Sequence, residues 1–367
     1  MNQQAMAGIA DQGAEFDISA LLLEQGKKLL EDRATPQRLR NLLEKPGSFN
    51  SALWAEVVEL GWPAAAIAEN LGGLGLGLRV LCDLAGLAGR YTVSLPIIAS
   101  AVVAGALANC DKARGELVAA GSTIAALDLC NVGYANDAAL QLSGDVVSGT
   151  SRGCAFSAVA DMLLAVAQAG GELHLVAIDL SHSGVERHII PSIDNARASA
   201  RLRFDAVPVL VVGGGAEIEE ARLTAALATA FEQLGGAQRC LELACDFARE
   251  RKAFGQPIGA FQAVKHKLAD FYTAIELARG CAFAALEALQ AGNAATKQVA
   301  AARIAATEAY EFAARETIQV FGALGITWEA PAHHHYRRSR SLALELGASL
   351  YWRDLLVDSL AVDLGSS

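Results

Sequence analysis

Charge is scarce in this chain. Only 19% of its 367 residues are charged against 53% hydrophobic, which excludes a disordered polymer and leaves apolar material for a large core in two or three domains. Positive charge is scarcer still, 30 Lys plus Arg against 40 Asp plus Glu. A phosphate backbone would be repelled at long range, so no nucleic-acid partner is expected. There is no CxxC pair: the seven cysteines are odd in number and scattered, with only Cys240 and Cys245 close together. That pattern suits reduced thiols better than a disulfide framework. No basic segment followed by an apolar stretch appears in MNQQAMAGIADQGAEF, so no signal peptide is visible and a cytoplasmic protein is expected.

Long apolar runs are also few. Residues 91–110, YTVSLPIIASAVVAGALANC, carry no charge and have the length of a spanning helix. Pro96, Thr92, Asn109 and two serines interrupt them, however, so a buried core helix is expected and no membrane contact. A GxGxxG spacing is missing: the glycines of NLGGLGLGL, residues 70–78, follow no strand pattern and read as turn formers. Metal-ligand spacing is missing too. His333, His334 and His335 are consecutive, cannot converge on one ion from a helix, and have no Cys or Asp at suitable spacing, so no metal site is expected. Arg337, Arg338 and Arg340 beside them read as a solvated or interface face, with contact to ligand phosphates as the lesser reading.

What is present falls into three parts. Residues 1–122 show helical spacing, as in Leu21, Leu22, Leu29 and Leu30 and again in Trp54, Val57, Val58 and Leu60. Residues 123–213 change to short β-prone runs (TIAALDL, AALQLSGDVVSG, MLLAVAQAGGELHLVAIDL, GVERHIIP, ARLRFDAVPVLVV), with AGGE as a hairpin turn. Residues 214–367 return to helix, predicted over 216–250, 264–290, 295–321 and 344–361 as a bundle. Gly235 and Gly236 inside the first of these imply close helix packing or a kink. The expected fold class is mainly α with a central β domain.

This order, together with RKAFGQPIGAFQAVKHKLADFYTAIELAR (251–279), LWAEVVELGW and AENLGGLGLG (53–62, 68–77), RASARLRFDAVPV (197–209) and IQVFGALGITWEAP (318–331), resembles the acyl-CoA dehydrogenase family over nearly the whole chain. The resemblance implies a helical domain, a small β barrel and a C-terminal four-helix bundle. It also implies FAD-dependent α,β-dehydrogenation of an acyl-CoA thioester, in which a carboxylate removes the α-proton. By the same resemblance, Arg251, Phe254, Gln262, Gln319 and Gly322 would hold the adenosine diphosphate half of an FAD belonging to a neighbouring subunit. A guanidinium suits a pyrophosphate, and a glycine lets backbone approach it. Ala323 and Ala253 depart from the family pattern there.

The flavin-ring end departs further. Gly153 and Ala155 stand where the family places an aromatic residue and a hydroxyl, and CNVGYAND (130–137) replaces the segment that contacts flavin and substrate. The base is missing from both family positions. Leu346 precedes Gly347 where one branch has glutamate, with Glu345 one residue early, and Ala225 occupies the position used by the other branch. Ala226 follows, where arginine is common, and Glu219, Glu220 and Glu232 lie out of register with it.

The leading expectation is therefore one subunit of a heteromeric α2β2 acyl-CoA dehydrogenase of lipid or steroid catabolism. A paralogous partner would supply base and ring contacts, and an electron-transfer flavoprotein would accept the electrons. Two alternatives stay open: a self-sufficient homotetramer using Glu345 or another carboxylate, and a scaffold or regulatory protein without FAD.

Overall fold

The computed structural model describes residues 3–129 and 140–365. In chain order the helices and strands are α1 (Gln3–Arg33), α2 (Pro36–Glu44), α3 (Ser51–Glu59), α4 (Gly77–Arg90), α5 (Ile97–Leu107), α6 (Lys112–Ala119), β1 (Ala125–Asp128), β2 (Leu140–Ser143), β3 (Val146–Thr150), β4 (Met162–Ala169), β5 (Glu172–Asp179), β6 (Val185–Ile189), β7 (Ala200–Gly213), α7 (Gly215–Glu250), β8 (Lys252–Ala253), β9 (Gln256–Pro257), α8 (Gln262–Gln290), α9 (Thr296–Phe321), α10 (Ala332–Leu342) and α11 (Ser349–Gly365).

Local chemistry sets the N-terminal helices. Thr35 accepts from the Arg38 amide ahead of Pro36 at the first helical position, Asn50 accepts from the Leu53 amide, and Asp111 from the Arg114 amide. Each side chain satisfies one of the donors that a helix start leaves open. The uncharged stretch 91–110 contributes α5, whose Ile97, Val102, Val103 and Leu107 are buried against the barrel and the N-terminal core. Among the described residues no helix is long and apolar enough to cross a membrane.

In the middle of the chain β4 pairs with β5, β5 with β7, β7 with β3, β3 with β2, and β2 with β4, which closes a five-stranded barrel; β1 joins β4 and β6 joins β7. The β4–β5 turn is made by Gly170 and Gly171 at φ +59° and +90°, the left-handed pair that a tight hairpin requires. Leu163, Ala165, Val176, Ile178, Leu202 and Phe204 fill one side of the sheet.

Helices α7, α8, α9 and α11 form the bundle around Phe231, Phe271, Ile275, Tyr310 and Trp352. Gly235 and Gly236 mark close packing: α7 runs unbroken from 215 to 250. A Cβ on Gly235 would lie 1.8 Å from the Gly86 carbonyl oxygen of α4, and one on Gly236 would lie 2.3 Å from the Tyr310 ring. One predicted boundary is corrected. The last helix starts at Ser349 rather than 344, because Leu346 (φ +57°) and Gly347 (φ +105°) are left-handed and break it from α10, which is a separate helix.

Candidate active site

A cavity of about 350 Å³ opens where the barrel meets the bundle, between Ile98 of α5, Leu127 of β1, the Gly153–Phe156 loop, Arg197, Thr229 of α7 and the turn carrying Leu344, Glu345 and Leu346. Residues 153, 155, 345 and 346, singled out separately from the sequence, thus share one cleft.

The two base positions also adjoin one cluster. Ala225 is fully buried in a cluster with Val102, Leu175 and Ala221, and Leu346 packs against the same cluster. Both positions that could deliver a carboxylate are therefore apolar and adjoin one hydrophobic cluster. Glu345 remains, but it is held: Arg197 Nε donates to it at 2.7 Å and Arg197 Nη2 to its other oxygen. Arg197 Nη1 reaches Glu232 at 3.2 Å, and Arg338 Nη1 donates to the same Glu232 oxygen at 3.1 Å and Arg338 Nε to Asp194 at 2.5 Å. The remaining Arg338 donors go to the Thr92 and Val93 carbonyls and the Ser94 hydroxyl. Arg303 closes the group, donating to Gln233 and to the Leu342 and Glu345 carbonyls.

Two guanidiniums, of Arg197 and Arg338, therefore face three carboxylates, with four of these five residues buried outright, and buried Arg303 braces the group through the Gln233 amide and two carbonyls. Burial pushes Glu232 above the usual carboxylate range, and Arg197 and Arg338 pull back against it. Arg197 itself is held protonated because Glu232 and Glu345 outweigh the cost of burial. A carboxylate fixed by two charge-assisted bonds to such an arginine is not free to swing onto a substrate.

The arginine reading needs correction here. Arg338 is 1% exposed and central to the ion cluster, not part of a solvated face; its acceptors lie 106 to 246 residues away in sequence, beyond the reach of local pattern. Arg337 is half-buried, donating to the Ile193 carbonyl at 2.9 Å, and only Arg340 is exposed, paired with Glu311. The consecutive histidines are buried, and the described residues contain no cluster of three or more metal-ligating side chains. Sequence reasoning misses Asp194, Arg197 and Glu232 as members of one group, because none belongs to a short motif.

The seat for a flavin ring does not fit. Gly153 is left-handed at φ +92°, and a Cβ there would meet Ile190 Cδ1 at 2.6 Å, so an aromatic side chain has no room without rearrangement. Ala155 has no hydroxyl. An aromatic that the sequence reading overlooks, Phe156, does line the cleft, but it is buried and the Arg197 guanidinium covers its ring at 5.0 Å. The CNVGYAND segment lies outside the described residues.

The nucleotide end does fit. Arg251, Phe254, Gln262, Gln319 and Gly322 are all exposed, and none lines the cleft of its own chain. The β8–β9 hairpin presents Arg251 and Phe254, the latter 95% exposed, while Phe247 and Phe321 stack at 4.2 Å and bring the Gln319–Gly322 turn to the same end of the bundle. Gly322 has a positive φ of 63°, with nothing within 4 Å of an added Cβ, leaving its backbone open to a phosphate. Donors displayed outward in this way suit a pyrophosphate seated mainly in another subunit.

Comparison with known proteins agrees. The family model for the acyl-CoA dehydrogenase C-terminal domain matches residues 214–361. The acyl-CoA dehydrogenase IpdE2 of Mycobacterium tuberculosis is 31% identical over 88% of this chain and 91% of its own length. A solved structure of a variant of the Tcur3481-Tcur3483 steroid ACAD superposes with a TM-score of 0.88 at 28% identity, covering 96% of this chain and 99% of that one. The ChsE4-ChsE5 complex of Mycobacterium tuberculosis shares the fold, with a TM-score of 0.87 at 24% identity over 94% and 97%. From the whole-length likeness and the barrel between two helical parts, it follows that the chain belongs to the acyl-CoA dehydrogenase family of FAD flavoproteins.

Proposed function

We propose that the chain is one subunit of a heteromeric acyl-CoA dehydrogenase, abstracting no proton itself but completing the cofactor site of a paralogous subunit. One observation carries this reading. Both family base positions, Ala225 and Leu346, are apolar and adjoin one hydrophobic cluster, and Glu345, next to Leu346 in the chain, is fixed by Arg197. Arg251, Gln262, Gln319 and Gly322 bind the pyrophosphate of an FAD whose ring and base lie in the partner. Bound FAD would supply the hydride acceptor for the acyl β-carbon. The polypeptides named together in the Tcur3481-Tcur3483 structure support such pairing, and that structure's steroid label favours bulky acyl thioesters as substrates. The same reading keeps the division into 1–122, 123–213 and 214–367, a cytoplasmic location and an electron-transfer flavoprotein as acceptor.

The test is flavin absorbance of the chain purified alone and co-expressed with its paralogue. Colour only in the complex, at about one FAD per pair of chains, supports the proposal. Stoichiometric FAD in the lone chain, bleached by an acyl-CoA, would assign the base role to Glu345 or another carboxylate of this chain. A colourless complex would leave the scaffold reading.

A further inference from the structure

The three consecutive histidines are not absorbed by the dehydrogenase site. His334 and His335 line a second cavity of about 370 Å³, bounded by Glu31 and Thr35 at the α1–α2 corner, Arg90 and Tyr91 at the end of α4, and Arg239 of α7. His334 is 3% exposed, and its Nε2 is sealed from water with no hydrogen-bond partner. A buried bare lone pair is tolerated better than a buried orphan N–H, and burial, then His333 and the Arg337 cation, disfavours a charged ring. The proton therefore sits on Nδ1, which turns that atom into a donor with no acceptor among the described residues.

His335 is arranged in the same sense. The hydroxyl of Tyr310, buried and held protonated, lies 3.0 Å from His335 Nδ1, so Tyr310 donates and His335 carries its proton on Nε2. Arg239 supplies a third donor set. It shares Glu242 with Arg90, whose two bonds to that carboxylate are both 2.6 Å, whereas Arg239 makes one bond to it at 3.2 Å. Two guanidiniums on one carboxylate leave a net positive charge and free N–H groups on Arg239. The opposing acid, Glu31, accepts from the Tyr91 hydroxyl at 3.0 Å and faces Lys27 at 4.0 Å.

We propose that this cavity is a binding site for a phosphate group, distinct from the FAD cradle. Imidazole N–H groups and a partly committed guanidinium converge from α7 and α10, and a tetrahedral oxyanion accepts from several directions at once. The volume is larger than a phosphate alone needs, which favours a phosphomonoester over the free ion. Occupancy would tie the α1–α2 corner to α10, the helix that carries Arg338.

Isothermal titration of the full chain with inorganic phosphate and with glycerol 3-phosphate, using chloride as the control anion, tests this. Saturable binding is expected, with Kd raised at least tenfold by Arg239→Gln and by His334→Leu. Tighter binding of the ester identifies a phosphomonoester, and equal or weaker binding identifies free phosphate; both keep the site. No saturable heat with either phosphate compound, or the same Kd in Arg239→Gln as in the parent, overturns it. Arg239 is only half-buried, so this variant is expected to fold even where His334→Leu does not.

Discussion

Glu345 shows what a single residue's partners decide. Its carboxylate reads from sequence as a displaced base, but its two bonds to Arg197 make it part of a buried ion cluster. Glu345→Gln is expected to leave the kcat of the two-subunit enzyme unchanged and to cost about 3 kcal/mol of stability, since removing one partner strands a buried charge. Urea unfolding of the lone chain and turnover of the complex measure the two halves of that statement; a collapse of kcat at unchanged stability would make Glu345 the base. The histidines give a second prediction. Burial, then the adjacent imidazole and arginine cations, holds His334 and His335 down to about 4 and about 3. Unfolding frees them to bind protons near pH 6.5, so their contribution is complete above that pH and is lost as pH falls. About 2 kcal/mol per histidine is expected to disappear between pH 7 and pH 5. Glu232, raised by burial, works in the opposite sense, losing stability as pH rises through its folded pKa. Imidazole proton resonances of the folded chain that titrate near pH 6.5 would mean that the imidazoles are charged in the fold.

At the scale of elements, the glycines on α4 and α7 set how closely these helices approach. A Cβ on Gly89 would sit 1.9 Å from the Glu232 carbonyl oxygen, and one on Gly235 would sit 1.8 Å from that of Gly86. Because backbone cannot yield as a side chain can, Gly235→Ala is expected to cost about 3 kcal/mol or more, read as a lowered melting temperature. Gly105→Ala on α5 meets nothing within 4 Å and is expected to stabilise by about 0.5–1 kcal/mol. The helical periodicity, the barrel strands and the Gly170–Gly171 hairpin were legible because each repeats or turns within a few residues. The break at 346–347 was not, because leucine gives no local sign of adopting φ +57°.

For the whole molecule, the proposed cradle is displayed outward while the ring seat has no room for an aromatic side chain, and the proposed function therefore depends on another chain. Arg251→Ala is expected to leave the fold intact, since the side chain is exposed, and to weaken FAD retention by the complex about tenfold or more, the scale of a lost charge-assisted bond. Flavin remaining after gel filtration of the complex checks this, and full retention would remove Arg251 from the cradle. Composition and periodicity by themselves determined the mainly α architecture with a central β unit, and the residue motifs pointed to the family and to the absence of a base at Leu346 and Ala225. Only the tertiary structure decided that these two positions adjoin one hydrophobic cluster, that Arg338 is buried rather than solvated, and that Glu345 is bound to Arg197. The physical reason is range: propensity and motif act over a few neighbours, whereas burial and ion pairing depend on side chains that folding brings together from opposite ends of the chain.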